Sequence, residues 1–141
     1  MRTKNILMLL SLAALLGTAG CASLRHSDST GLQGTWKGQE IGSNAGDSRY
    51  FIFSGNRIEF QGANNDDWCR GTFTLRPETN PPQIVGTITE CHDAQYIGKT
   101  ARAIYRLDGD TLTVTGYEPG NPDVPSAFDA PGARHFVLKR D

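Results

Sequence analysis

Tyr105-Arg106-Leu107-Asp108-Gly109-Asp110-Thr111-Leu112-Thr113-Val114-Thr115 is the stretch that decides the fold. Two runs with period-two alternation flank an Asp-Gly pair, and such a pair supplies the positive φ that a tight hairpin turn requires. With Asp108 and Gly109 as the turn centre, Tyr105 faces Leu112 and Ala103 faces Val114. The apolar residues then share one face, and Thr111, Thr113 and Thr115 share the other. Register and hydrophobic pattern agree, as they must in a strand pair with one face buried.

The same pattern repeats on both sides of this hairpin. From Leu32 onward no stretch carries apolar residues at helical spacing over three turns; short β-branched and aromatic runs alternate instead with Gly, Asn, Asp and Pro. The candidate strands are 34–40, 49–53, 57–61, 69–75, 83–91, 101–107, 111–117 and 134–140. Eight strands is the count at which an antiparallel up-and-down barrel closes, so the expected class is all-β with that architecture. Trp36, Ile58, Phe60, Phe73, Leu75, Tyr105, Leu112, Val114, Phe136 and Leu138 are the inward candidates. Gly38, Gly71, Gly86, Ala103 and Gly116 are the small positions opposite them, which either accommodate the aromatics or leave a cavity.

Composition bounds the rest. A chain of 141 residues with 14 Lys+Arg, 15 Asp+Glu and a net charge of −1 describes one small domain. It has no basic cluster to meet a phosphate backbone, which argues against nucleic acid as a partner. Arg2 and Lys4 precede an apolar run from Ile6 to Leu16, the length of a signal-peptide core and too short to span a bilayer. Removing residues 1–20 takes away those two cations and leaves 121 residues with 12 basic and 15 acidic groups, a net charge of −3. Residues 22–31, rich in Ser, Thr and charge, read as a tether, so the expected division is signal 1–20, tether 21–31 and barrel 32–141.

Cysteine arithmetic separates one thiol from a pair. Across the Pro-rich connection 77–83, a constant pairing sum sets Leu75 against Val85, Phe73 against Thr87, Gly71 against Thr89 and Cys69 against Cys91. A cross-strand disulfide is geometrically allowed in an oxidising compartment and would contribute about 3 kcal/mol. Two free thiols, or a metal site with His92 and Asp93, are the alternatives; the run Cys91-His92-Asp93 lacks the paired spacing of a structural zinc site. Neither a metal nor a cofactor is expected.

Leu16-Gly17-Thr18-Ala19-Gly20-Cys21 resembles the bacterial lipobox, in which the peptidase cuts before a cysteine already carrying lipid on its sulfur. That resemblance implies a lipoprotein attached at Cys21, with acyl chains as the membrane anchor. Ala22-Ser23 lacks the aspartate that retains many lipoproteins in the inner membrane. The implied location is therefore the bacterial envelope, on the outer membrane facing the periplasm.

Gly34-Thr35-Trp36 resembles the Gly-x-Trp signature of lipocalins, the calycin-type barrels in which this tryptophan packs beneath an arginine of the last strand, here Arg140. Together with Thr72-Phe73-Thr74-Leu75-Arg76-Pro77, Ile104-Tyr105-Arg106-Leu107-Asp108-Gly109-Asp110-Thr111-Leu112 and Phe136-Val137-Leu138-Lys139-Arg140, it is similar to a lipocalin-like family abundant in Planctomycetes and neighbouring phyla. The likeness runs through nearly all of residues 32–140. It implies the barrel and the closing pair Trp36 and Arg140, and it brings no activity with it. The family commonly has an Arg-Pro pair before an aromatic in the final loop, where this chain has Val124-Pro125 before Phe128. No role for that arginine carries over.

Chemistry is sparse. There is no Gly-x-Ser-x-Gly elbow, no His-Glu-x-x-His and no phosphate-binding glycine loop, and His26, His92 and His135 are scattered. His135 alternates with Phe136 and is expected to face solvent. No catalysis is expected. The reading is a membrane-tethered barrel that binds a small apolar or amphipathic molecule through Tyr105, Phe73, Phe128 and Trp68, with Phe128 otherwise plugging the mouth. The alternative is a filled barrel that binds an envelope protein through its loops, such as an enzyme inhibitor or assembly accessory.

Overall fold

The computed structural model of the chain describes residues 28–43 and 46–141. The expected signal 1–20, the lipidation site Cys21 and His26 lie outside the described residues. Eight strands form one closed antiparallel sheet in which each strand pairs with its sequence neighbours and the last returns to the first. They are β1 Gly34–Glu40, β2 Arg49–Ser54, β3 Arg57–Gln61, β4 Trp68–Arg76, β5 Gln83–Cys91, β6 Thr100–Asp108, β7 Thr111–Gly116 and β8 Arg134–Arg140. The expected up-and-down barrel is thus present, and β1, β3, β5 and β8 have the expected bounds. Apolar residues at alternate positions of every strand meet in one core, with Trp36, Tyr105, Leu112 and Leu138 fully buried.

Two registers differ from the sequence expectation. In the β6–β7 hairpin Asp108 pairs with Thr111, Leu107 with Leu112, Tyr105 with Val114 and Ala103 with Gly116. The turn is centred on Gly109 and Asp110, one residue later than expected. This puts the positive φ of 57° on Gly109, the residue that bears it without strain. The partners shift by two, so the inward face is unchanged.

The β4–β5 difference has more effect. Cys69 faces Cys91 and Arg70 faces Glu90, but Gly71 then faces Ile88, Phe73 faces Gly86 and Leu75 faces Ile84. Thr89 is the extra residue of a β-bulge. The slip turns Ile84, Gly86 and Ile88 inward, whereas a constant sum would have turned in Val85, Thr87 and Thr89. Gly71 permits it, because a Cβ there would lie 1.9 Å from the Thr87 carbonyl oxygen. The sulfurs of Cys69 and Cys91 are bonded.

One end of the barrel is closed, and part of the expected tether does the closing. Asp28–Gly31 forms a helical turn, α1, and the next residue, Leu32, is fully buried. Tyr105 Oη donates to Asp28 Oδ2 at 2.6 Å, and Trp36 Nε1 donates to the Leu32 carbonyl at 2.8 Å. Gln33 exchanges hydrogen bonds with both backbone groups of Gly55 in the β2–β3 turn. The Arg140 guanidinium lies 4.2 Å from the Trp36 ring centroid and donates to the carbonyls of Gln33 and Gly31, each at 2.8 Å. The folded part therefore includes Asp28–Gly31, because an acid, a leucine and three carbonyls are used to seal the base.

The long β7–β8 connection does not plug the other end. Ile104 and Thr115 are cross-strand partners on the outer face, yet they are 1% and 0% exposed. Thr115 Oγ1 donates to the Phe128 carbonyl and also meets His135 Nδ1 at 3.0 Å, while Arg106 stacks on the Phe128 ring. The loop lies along the outer wall, and its own Pro125 and Ala130 are buried. Phe128 is an outer-wall residue, and His135 is partly shielded and bonded to Thr115.

Candidate functional site

The barrel interior is unevenly filled above the sealed base. On β2, β3 and β8, Phe51, Phe60 and Phe136 form a ring cluster with centroids 5.2–5.7 Å apart in tilted and edge-on contacts. On β4, β5, β6 and β7, the facing positions are Gly71, Gly86, Ala103 and Gly116. Large side chains on one half and almost none on the other leave a cavity of about 470 Å³, completed by Ile58, Ile84 and Val114 and open toward the loops 62–67, 92–99 and 117–133. That volume falls within the range of small-molecule sites. The glycines are not equivalent: a Cβ on Gly86 would make ordinary contacts, the nearest at 3.6 Å, whereas one on Gly71 would collide with the backbone.

Charges stand where the apolar wall meets the mouth. Glu40 continues the inward series of Trp36 and Gly38, Arg49 that of Phe51 and Phe53, and Arg134 that of Phe136 and Leu138. Arg134 Nε and Nη2 donate to the two oxygens of Glu40 at 2.7 and 2.9 Å. Its guanidinium also lies 5.2 and 5.1 Å from the ring centroids of Phe60 and Phe136. Arg49 Nε is 3.5 Å from Glu40 and makes no hydrogen bond, although Arg49 is only 6% exposed. The hydrogen bonds from Arg134, opposed by burial and helped by the charge of Arg49, hold the Glu40 carboxyl below the usual carboxylate range. Asp67, on the β3–β4 loop, places Oδ2 3.8 Å from Arg134 Nη2.

Two further contacts shape the rim. Tyr96, in a 3₁₀ turn at Ala94–Tyr96, donates its hydroxyl to Glu118, joining two mouth loops; this bond, ahead of burial, pushes the Tyr96 phenol up. Arg70 stacks on Trp68 at 4.8 Å from its centroid, and the Trp68 carbonyl accepts from the His92 amide.

The residues expected to bind a ligand are dispersed. Trp68 lines the mouth. Tyr105 and Phe73 do not reach the cavity: Tyr105 is spent on α1, where burial and then its bond to Asp28 push its phenol far up, and Phe73 stacks edge-on against Phe53. Phe128 lies outside the barrel. Cys69 and Cys91 form part of the cavity wall as a disulfide. Trp36 and Arg140 meet at the closed end. The polar group formed by Glu40, Arg49 and Arg134 was missed, although the strand alternation that selects Trp36 and Phe136 also selects Glu40 and Arg134 when carried to the strand ends. Among the described residues no three His, Cys, Asp or Glu side chains gather as a metal site. No protein-family model, curated protein or solved structure matches this chain.

Proposed function

We propose that the protein is an envelope lipoprotein, anchored through acyl chains on Cys21 in the outer membrane and facing the periplasm, whose lipocalin-like barrel holds one small apolar or amphipathic molecule. The observation that carries the binding reading is the 470 Å³ apolar cavity, sealed at one end by Trp36 and Arg140 and open at the other. Removing a ligand's methylene groups from water contributes about 0.8 kcal/mol each, so a short chain accounts for useful affinity without any specific polar contact. The alternative, a protein-binding lipoprotein with a filled core, has less support: the core has space, and the longest loop is committed to covering Ile104 and Thr115. No reaction or cofactor is assigned.

The two halves of the proposal are tested separately. Native mass spectrometry of protein isolated from envelopes is expected to find one small molecule per chain, and an environment-sensitive apolar fluorophore is expected to bind in its place. A chain that takes up neither refutes the binding reading. Cys21→Ala is expected to move the protein from the membrane to the soluble fraction; retention in the membrane refutes the anchor.

A further inference from the structure

We propose that the molecule held in the barrel is an anionic amphiphile and that Arg134 receives its head group; this rests on the binding reading above. Of the charged residues lining the cavity, Arg134 is the one that a strand turns inward. Its guanidinium lies over Phe60 and Phe136, two rings of the cavity's large side, so a chain filling the cavity ends at that cation.

The donors needed are available. Arg134 uses Nε and Nη2 on Glu40, and Nη1 has no acceptor among the described residues. Asp67 stands 3.8 Å from Nη2, beyond hydrogen-bonding distance, and its side chain is 40% exposed, so it is a competitor that water can replace. Behind this contact two guanidiniums flank one carboxylate, and the buried Arg49 Nε has no hydrogen-bond partner. The other acids at the mouth are engaged elsewhere: Glu118 accepts from Tyr96, Asp93 from Gln95, and Asp66 lies 3.8 Å from His92.

A carboxylate or phosphate monoester suits such a site, because either offers paired oxygens to a guanidinium at the edge of a low-dielectric space. An alcohol offers a neutral oxygen. An ammonium head has only donors and finds no acceptor on the Arg134 guanidinium. Alkyl chain and anionic head are therefore read by different parts of the barrel, the chain by the uneven wall and the head by Arg134.

The test titrates the full chain carrying Cys21→Ala, which has no acyl anchor, stripped of bound amphiphile in detergent-free buffer, with dodecanoate, dodecyl phosphate, dodecanol and dodecylammonium. The expected order has dodecanoate or dodecyl phosphate about tenfold or more tighter than dodecanol, and dodecylammonium weakest. The better of the two anions tells whether the natural head group is a carboxylate or a phosphate. Arg134→Met is expected to remove the preference while dodecanol still binds, and Asp67→Asn, which removes the competitor, to tighten dodecanoate several-fold. Equal binding of dodecanoate and dodecanol, or a preference for dodecylammonium, overturns the head-group assignment and leaves the binding reading standing. Failure of all four probes overturns both. If Arg134→Met does not fold, the order of the four probes on the Cys21→Ala chain and the Asp67→Asn shift decide the matter.

Discussion

Filling the cavity from its wall should make the protein more stable and a worse binder. Gly86 is the position for it: its missing Cβ would point inward opposite Phe73, with no atom nearer than 3.6 Å. In Gly86→Leu, the four side-chain carbons enter space that is now open. Burying a leucine side chain contributes about 1.5–3 kcal/mol when complete, and loss of glycine's freedom in the unfolded chain adds about 0.4–1 kcal/mol. Because the cavity opens to solvent, we expect about 1–2 kcal/mol of net stabilisation, a rise in Tm of roughly 4–8 °C. The same carbons displace three or four methylene groups of a bound chain, about 3 kcal/mol, which is roughly a hundredfold loss of affinity. Urea denaturation and fluorophore titration of the same samples measure the two quantities. Gly71→Ala is the contrast: its Cβ would meet a carbonyl oxygen at 1.9 Å, so it should destabilise despite being the smaller change. A Gly86→Leu protein less stable than its parent would refute the open interior, since only a filled one makes the added side chain an overpacking.

Other consequences can be measured directly. Replacing Cys69 and Cys91 by Ala releases the 22-residue closure and should cost about 3 kcal/mol, read as a lower urea midpoint with the fold retained. Glu40 has a folded pKa below its unfolded value near 4.3, so its contribution is complete above that pH and is lost as pH falls through the folded value. Urea midpoints at about pH 7 and about pH 3 should differ less in Glu40→Gln than in the parent. An equal difference would show that the Arg134 ion pair adds nothing to acid stability. Tyr105→Phe removes the bond to Asp28 and should cost about 1–2 kcal/mol, with amide exchange rising selectively over residues 28–33.

Strand number and placement are legible in the sequence because alternation and turn residues are local properties. The β6–β7 hairpin illustrates where locality stops: the face of Tyr105 follows from parity, but its partner depends on which of Asp108, Gly109 and Asp110 turns the chain. The bulge at Thr89 is less accessible, since it depends on Gly71 allowing the strands to close, a contact between residues distant in sequence. Phe128 was misplaced for a similar reason. An aromatic in a proline-rich loop suits a plug or a wall cover equally, and the choice lies in Ile104 and Thr115 needing cover. Of the site, Phe60, Phe136 and the small residues opposite them were foreseeable. The cluster of Glu40, Arg49 and Arg134 becomes visible only when alternation is followed past the apolar residues to the strand ends.

The base-sealing turn α1 also sets where a tether joins the barrel. Asp28 is held at the end of the barrel opposite the mouth, seven residues after Cys21. Seven extended residues reach at most about 25 Å. A chain lipidated at Cys21, as proposed above, would be tethered by its sealed end, with the opening roughly 20 Å away along the strands. On that proposed anchor the tether is as long as the barrel is tall, so the opening is free to turn either toward the anchoring leaflet or across the aqueous gap.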